Sequence, residues 1–190
     1  MSAIRPRTKS VDLSTVVSVH RLLTDHGLQY LIYGGWGLDI ICGDQSRPHG
    51  DLDLFFWRRD YQRLRSLLTA QAFTVYELPG RQLAVKSPFR ADMVFLDDSR
   101  AEQIIGMTSV FEVRVPRRGL HDWTYGVVEG HALPVGCVEL VVRLSGHSPN
   151  SRPSDQALLD RIMAHCDQRL LAEIEHRRLP YNKNAPWTAC

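Results

Sequence analysis

Three aspartates and the residues just before them carry the chemistry that this sequence suggests. Asp51 and Asp53 stand two positions apart in the segment DLDLFFW, and Asp92 lies in the later segment ADMVFL. Side chains two residues apart on a β-strand project from the same face, so a strand over Asp51–Trp57 presents both carboxylates together. Two neighbouring carboxylates resist ionising together unless a cation neutralises them. Mg²⁺ suits such a pair, because it prefers oxygen ligands and commonly binds one or two carboxylates.

The alternative for this pair is an ordinary solvated strand face, and Asp92 weighs against that alternative. Met93 and Phe95 alternate with Asp92, as on a strand with one buried face. If the two strands are neighbours, three carboxylates can bind two metal ions, or the third can accept a proton from an attacking hydroxyl. Asp97 and Asp98 compete for the third place, but their position at the end of the strand favours a cap or a turn.

A glycine pair, Gly34-Gly35, precedes the first two aspartates. Glycine permits positive φ and close backbone approach, and the N–H groups at a helix N-terminus attract phosphate. An isolated pair suits any tight turn, but a following strand with two aspartates favours a phosphate site. Arg47 can grip phosphate oxygens as a fork. His49 is interpreted as a phosphate contact, as a residue that orients an aspartate, or as a surface-loop residue without a role, and Asp39 is expected to bond to the loop.

Hydrophobic periodicity predicts the elements that position these residues. Helices are predicted over Val11–His26, Trp36–Ile41, Asp60–Ala70, Val138–Leu144 and Asp155–Leu179, the last as one long amphipathic helix. Strands are predicted over Leu28–Tyr33, Asp51–Trp57 and Ala91–Leu96, around Val110–Val115, and in hairpins about Pro79-Gly80 and Glu129-Gly130. Ser145–Ser154 is interpreted as a linker. We therefore expect a main domain over residues 1–135, a helical part over 136–180 packed on it, and a polar tail over 181–190.

Composition excludes several classes of protein. The chain has 190 residues, 44% of them hydrophobic and 23% charged, with a formal net charge of +2. That charge is too small to indicate a nucleic-acid partner by itself. The N-terminal basic residues precede no apolar run, and no apolar stretch approaches the roughly 18–20 residues that span a bilayer. Cys42, Cys137, Cys166 and Cys190 form no CxxC pair, which argues against zinc and disulfides and favours a reducing cytoplasm.

The segments GGWGLD and RPHGDLDL, followed by a strand with Asp92, resemble the nucleotidyltransferase superfamily of the polymerase-β type. They are most similar to its antibiotic-modifying branch, the lincosamide nucleotidyltransferases and aminoglycoside 2″-adenylyltransferases. Gly35-Trp36 stands where broader members carry a glycine-serine pair, and the separation of Asp53 from Asp92 also suits this branch. The resemblance covers about residues 10–100 and is weaker afterwards.

The resemblance implies an α+β fold, with a mixed sheet flanked by helices and a helical C-terminal part that helps to form the acceptor pocket. It implies transfer of a nucleoside monophosphate, usually AMP from ATP, to a hydroxyl, with release of pyrophosphate. The implied cofactor is Mg²⁺, as two ions. The implied roles are metal ligands for Asp51 and Asp53, general base or metal ligand for Asp92, and triphosphate contacts for Gly34, Gly35, Arg47 and His49.

The acceptor is less clearly encoded. Between Phe111 and Asn150, four acids are matched by four arginines. This balance argues against a polycationic acceptor such as an aminoglycoside and favours a neutral or mildly charged hydroxylated molecule. Phe111, Trp123 and Tyr125 are candidates to stack on such a molecule, although core packing would also use them. A second chain in a homodimer could complete the pocket.

Two other functions stay open. The acceptor could be a macromolecule such as tRNA or a protein, which an arginine-rich segment would favour, although a solvated helix face is the simpler interpretation of that segment. Its arginines are Arg58, Arg59, Arg63 and Arg65, and the basic pair Arg177-Arg178 near the C-terminus would favour the same acceptor. The chain could also be a non-catalytic nucleotide-binding module, but the presence of all three carboxylates counts against this.

Overall fold

A mixed β-sheet organises the computed structural model, which describes residues 10–78, 81–87, 89–108, 111–120, 124–145, 153–179 and 188–189. Within these residues the sheet has 11 strands, and its main order is β10-β7-β6-β5-β2-β1-β9-β8, with β4 also pairing β5 and β3, and β11 pairing β3. The strands are β1 (Tyr30–Tyr33), β2 (Leu52–Trp57), β3 (Thr74–Leu78), β4 (Arg81–Lys86), β5 (Phe89–Asp97), β6 (Gln103–Met107), β7 (Phe111–Pro116), β8 (Thr124–Val128), β9 (His131–Val135), β10 (Glu175–Arg178) and β11 (Thr188–Ala189).

Helices flank this sheet, so the predicted α+β architecture is confirmed. They are α1 (Leu13–Asp25), α2 (Gly34–Cys42), α3 (Tyr61–Ala70), α4 (Val138–Ser145), α5 (Pro153–Met163) and α6 (Gln168–Glu173). The side chain of Asp12 caps α1 by accepting a hydrogen bond from the backbone of Thr15. Gly43 ends α2 in the left-handed conformation that glycine adopts without strain. Helix α2 starts two residues before its predicted start, and its first turn therefore contains the glycine pair.

The pairing of β2 with β5 places two of the three aspartates side by side. The two strands are parallel neighbours, and Asp53 lies directly beside Asp92 in their register. Strand β1 pairs antiparallel with β2 on the other side, placing Tyr33 opposite Asp53. Because Gly34 follows Tyr33, the glycine turn lies at the same end of the sheet as the aspartates. The strand adjacency expected between the segments of Asp53 and Asp92 is therefore present.

The core lies on both faces of the sheet. Leu52, Leu54 and Phe56 join one buried cluster, as alternation predicts. Phe55 and Trp57 continue the face that carries Asp53, yet they are also buried, in a second cluster. Burial of a large apolar side chain contributes about 2 kcal/mol, so this second cluster holds β2 firmly beneath the aspartates.

The C-terminal part differs from its prediction. The single long helix expected over Asp155–Leu179 is wrong, because α5 ends at Met163 and α6 spans only Gln168–Glu173. Asp167 begins the second helix by accepting hydrogen bonds from the backbone N–H groups of Arg169 and Leu170. Glu175–Arg178 then forms β10, which pairs antiparallel with β7. The spacing of apolar residues alone did not reveal this cap or the strand partner.

The remaining local predictions have mixed outcomes. The pairing of β3 with β4 and that of β8 with β9 confirm both hairpins, and β7 confirms a strand near Val110–Val115. The predicted turn at Pro79-Gly80, residue Trp123, most of the linker (146–152) and most of the tail lie outside the described residues. In the described part of the chain, the helices are too short or too polar to traverse a bilayer.

Candidate active site

Asp51 and Asp92 each contact an arginine. The Arg90 guanidinium donates to the Asp51 carboxylate, and Arg81 Nη1 donates to Asp92 Oδ2 at 3.3 Å. These side chains are largely shielded, with exposed fractions of 15% for Arg81 and 19% for Asp92. Both arginines were missed by sequence reasoning. Period-two alternation could have found Arg90, because it lies two residues before Asp92 on the same strand face.

The glycine turn, Gly34-Gly35, packs directly against Asp53. Gly34 has a φ of 65°, and a Cβ at this position would overlap the Asp53 carboxylate. A Cβ at Gly35 would overlap the His49 ring, and would lie 3.1 Å from Arg47 Nη2. Glycine is therefore required at Gly34 for both conformation and space, and at Gly35 for space alone. The first turn of α2 thus brings its unpaired N–H groups beside Asp53, Arg47 and His49.

The electrostatics of the site depend on burial. Burial and, to a smaller extent, the nearby Asp92 carboxylate together raise the pKa of Asp53 to about 7, against the lowering effect of Arg81 and Arg47. Burial also raises the pKa of Asp92, against the lowering effect of Arg81 and Arg90. Asp92 Oδ1 is buried without a hydrogen-bond partner. The arginines therefore compensate these carboxylates only in part.

These features fit a divalent cation. An unpartnered buried oxygen and two carboxylates with raised pKa values gain from an added positive charge, and oxygen donors suit Mg²⁺. Among the described residues, however, no group of three or more His, Cys, Asp or Glu side chains converges on one point as a finished metal site. Mg²⁺ usually completes its coordination with water and substrate phosphates, so a finished protein cage is not required.

His49 is not the surface residue that one interpretation allowed. Its exposed fraction is 3%, and its Nε2 lies 2.6 Å from Oδ2 of Asp39, which is also fully buried. Ser46 Oγ donates to the other oxygen of Asp39 at 2.6 Å, which confirms the expected bond between Asp39 and the loop. The Trp36 ring lies 5.0 Å from the imidazole, centroid to centroid. Asp39 therefore fixes the orientation of His49 beneath the glycine turn.

Arg47 is held by an acid that sequence reasoning did not identify. Its Nε and Nη2 donate to the two carboxylate oxygens of Asp155 at 2.8 and 3.1 Å. Asp155 lies on α5 and is buried, so this two-pronged pair joins the loop between α2 and β2 to the C-terminal part. The partners are separated by 108 positions, and no local pattern in the sequence connects them.

The aromatic residues proposed for the acceptor do not form one cluster. Phe111 lies on β7 and Tyr125 lies on the edge strand β8, with β6, β5, β2, β1 and β9 between them. Strands are about 4.8 Å apart, so the two rings lie on the order of 25–30 Å from each other across the sheet. Tyr125 is exposed, whereas Phe111 lies against the His176 ring. At most one of these two can contact a small acceptor near the aspartates.

Comparison with known proteins gives this site a family context. The sequence model of the aminoglycoside-2''-adenylyltransferase family matches residues 15–135, a range that contains the glycine turn, the loop and all three aspartates. The chain belongs to this family. It is therefore a nucleotidyltransferase of the antibiotic-modifying branch that the motifs resembled. No curated protein sequence matches it.

Solved structures of nucleotidyltransferases share the fold of this family member. Lincosamide antibiotic adenylyltransferase LnuA, in a lincomycin-bound crystal structure, is 17% identical with a TM-score of 0.64, covering 83% of this chain and 100% of its own. The solution structure of the antibiotic-resistance factor ANT(2'')-Ia is 20% identical with a TM-score of 0.59, covering 85% of this chain and 91% of its own. A crystal structure of ANT(2'')-Ia in complex with adenylyl-2''-tobramycin is 17% identical with a TM-score of 0.56, covering 84% and 94%.

Proposed function

We propose that this nucleotidyltransferase moves AMP from ATP to a hydroxyl group of a small antibiotic in a magnesium-dependent reaction that releases pyrophosphate. The observation that carries the proposal is the parallel pairing of β2 and β5, which sets Asp53 beside Asp92 at the glycine turn. The described cysteines Cys42, Cys137 and Cys166 are free thiols, which supports action in the reducing cytoplasm where ATP is available.

Different residues bind the phosphates and the metal ion for an in-line displacement at the α-phosphorus. The backbone of Gly34 and Gly35 and the N-terminus of α2 bind the phosphates, since N–H groups there point outward without helical partners. Asp51 and Asp53 would hold Mg²⁺, which supplies the positive charge that a triphosphate needs for nucleotidyl transfer. Placing the hydroxyl in line with the leaving group accounts for a large part of the catalysis.

Asp92 accepts the proton of the acceptor hydroxyl. Its raised pKa makes it a stronger base than an exposed carboxylate, and Oδ1 is the oxygen without a hydrogen-bond partner. If a second metal ion is bound, Asp92 is its protein ligand on β5. His49 is oriented by Asp39 beneath the phosphate-binding turn, and Arg47 contributes charge beside it.

We propose a neutral or mildly charged acceptor of the lincosamide type rather than a polycation. Two acids of the acceptor half are committed to internal contacts: Glu112 pairs with Arg114 and Arg177, and Glu139 accepts a hydrogen bond from the backbone of Asp167. These acids are therefore not available to bind ammonium groups of a ligand.

The arginine-rich segment does not favour a macromolecular acceptor, because each of its arginines has an acidic partner. The pairs are Arg58–Asp97, Arg59–Asp98, Arg63–Asp60 and Arg65–Glu77. Their charges are balanced at short range, so they contribute little to the attraction of a polyanion.

The deciding experiment incubates the protein and Mg²⁺ with ATP, GTP, CTP or UTP labelled at the α-phosphate, against lincosamides, aminoglycosides and bulk tRNA. We expect the label from ATP to appear on a lincosamide. Label on tRNA alone would contradict the small-molecule assignment, and label on aminoglycosides alone would contradict the proposed acceptor chemistry. No transfer from any nucleotide to any of these acceptors, by a protein that is folded by circular dichroism, would count against the whole proposal.

A further inference from the structure

We propose that Arg81 and Arg90 are exchangeable counter-ions, which occupy the catalytic carboxylates in the free protein and turn to the phosphates when metal and nucleotide enter together. The inference rests on the proposed function and adds an order of binding to it. Its starting point is the direct contact of Arg90 with Asp51 and of Arg81 with Asp92. The metal ligands of the proposed reaction are thus already engaged by protein cations.

The charge balance of the site supports this exchange. Carboxylates and guanidinium groups in similar number meet there, so the protein's own cations already offset much of the negative charge. The carboxylates are Asp51, Asp53, Asp92 and Asp155, and the guanidinium groups belong to Arg47, Arg81 and Arg90. A divalent cation that enters alone would have to displace an arginine from its carboxylate without supplying another anion. A cation that enters with a polyanionic triphosphate brings a new partner for the displaced arginine.

The cost of leaving a shielded charge unpaired decides between these two routes. Removing the partner of a shielded ion costs more than an exposed pair contributes, because water does not replace the lost contact. Arg81 and Arg90 have exposed side-chain fractions of only 15% and 24%, so water compensates each of them poorly. Metal binding without nucleotide therefore costs the arginines their carboxylate contacts. Metal binding with nucleotide offers them phosphate oxygens in exchange.

The positions of the arginines allow the change without movement of the sheet. Arg90 lies on β5 on the same face as Asp92, and Arg81 lies on the adjacent strand β4. The two strands are paired with each other, and an arginine side chain has enough rotatable bonds to move its guanidinium from one anion to another. A guanidinium forks onto phosphate oxygens as well as it does onto a carboxylate.

The test measures metal binding by itself, with Mn²⁺ as a spectroscopic probe for Mg²⁺. Titration of nucleotide-free protein, followed by electron paramagnetic resonance, compares the wild type with Arg81→Met and Arg90→Met. We expect each variant to bind Mn²⁺ alone about tenfold more tightly than the wild type. The same variants should bind Mn²⁺ with a non-hydrolysable ATP analogue about tenfold more weakly, so the two effects have opposite signs.

Arg114→Met is the matched control, because Arg114 also pairs with an acid of the same sheet, Glu112, outside the site. It should leave both affinities unchanged. Arg81→Lys and Arg90→Lys keep the charge and should leave the affinity for Mn²⁺ alone close to that of the wild type, which also covers the case in which a Met variant fails to fold.

Three results would overturn the inference. One is tight binding of Mn²⁺ to the nucleotide-free wild type, with the same affinity as in the presence of the analogue. Another is a Met variant that binds Mn²⁺ alone no more tightly than Arg114→Met, and the third is a Met variant that retains wild-type affinity for the metal–nucleotide pair. Any of these can occur in a protein that still transfers nucleotide, so failure of this inference is distinct from failure of the proposed function, in which transfer itself is absent.

Discussion

The two ends of strands β2 and β5 carry the same kinds of side chain in different surroundings. One end has the pairs Asp51–Arg90 and Asp92–Arg81, and the other has Asp97–Arg58 and Asp98–Arg59. At the first end, the exposed fractions of the paired arginines are 24% and 15%. At the second end, they are 56% and 55%. Only the first end lies beneath the glycine turn.

Burial gives the same chemical groups different properties at these two ends. Burial raises the pKa of Asp53 and of Asp92, whereas hydrogen bonds from Ser99 lower the pKa of Asp97. An exposed ion pair contributes about 0–1 kcal/mol, because water solvates both partners. At the buried end, an incompletely compensated carboxylate gains strongly from a metal ion or from a proton. The difference shows that burial, rather than residue type, distinguishes the site from an ordinary charged surface.

The largest expected effect is the loss of transfer on removing one buried carboxylate. Asp53→Asn keeps the shape of the side chain but removes the charge at the centre of the site, so we expect transfer to fall by about a thousandfold or more. Steady-state assay with labelled ATP measures this. The matched variant Asp97→Asn changes the same residue type at the exposed end and should stay within about twofold of the wild type. Comparable losses in both variants would mean that the two ends do not differ in function.

A smaller effect is expected for the pair Arg47–Asp155, which joins the loop between α2 and β2 to α5. Asp155→Asn leaves Arg47 without its two-pronged partner, so the guanidinium loses its fixed position beside Gly35. We expect KM for the nucleotide to rise about tenfold while kcat changes less than about threefold, because Asp155 positions Arg47 and is not proposed to contact the reacting atoms. Asp155→Glu should recover part of the loss. An unchanged KM in Asp155→Asn would show that this buried pair is only structural.

Asp53 and Asp97, at the two ends, should also change the stability of the protein with pH in opposite directions. Asp53 has a pKa of about 7 in the folded protein and an ordinary value of 3.8 in the unfolded chain. Its contribution is therefore fully present below about pH 4 and is lost as the pH rises through 7, by an amount on the order of 4 kcal/mol. The lowered pKa of Asp97 acts in the other direction, with stability present above its unfolded value and lost in acid.

Urea unfolding of the metal-free protein between pH 4 and 8 measures this dependence. Asp53→Asn should lose less stability than the wild type over that range, and Asp97→Asn should lose as much as the wild type. Parallel curves for the wild type and Asp53→Asn would show that the Asp53 carboxyl is not perturbed in the folded state.

The smallest effect is expected for Arg59→Ala at the exposed end. Arg59 pairs with Asp98 and its guanidinium lies 5.1 Å from the centroid of the Trp57 ring. More than half of the Arg59 side chain is exposed to solvent, so the free energy of unfolding should fall by less than about 1 kcal/mol, with transfer unchanged. Thermal unfolding and the same transfer assay measure both. A large loss of activity would mean that this end takes part in substrate binding.

Local patterns predicted the central parts of this molecule well. Alternation around Asp53 predicted strand β2, and apolar spacing with a terminal glycine predicted α2 and its end at Gly43. The proximity of Asp53 to Asp92 was also a specific expectation, because one pairing of two strands was enough to place them side by side.

Contacts between distant segments were not predictable in the same way. Asp155 approaches Arg47 across most of the chain, and Arg81 approaches Asp92 from a neighbouring strand through the hairpin geometry. The break at Asp167 was missed because a cap and a strand partner interrupt a pattern that otherwise continues as a helix. Sequence periodicity describes one element at a time, whereas these features depend on which elements become neighbours.

The pairing of β10 with β7 also has a consequence for folding during synthesis. Strand β7 ends at Pro116, but its edge partner is Glu175–Arg178, so this edge of the sheet stays open until nearly all of the described chain has left the ribosome. An unpaired strand edge is a template for pairing with other chains. Nascent or truncated chains that end before residue 175 should therefore aggregate more readily than chains that include β10, even though every aspartate of the active site has already been made.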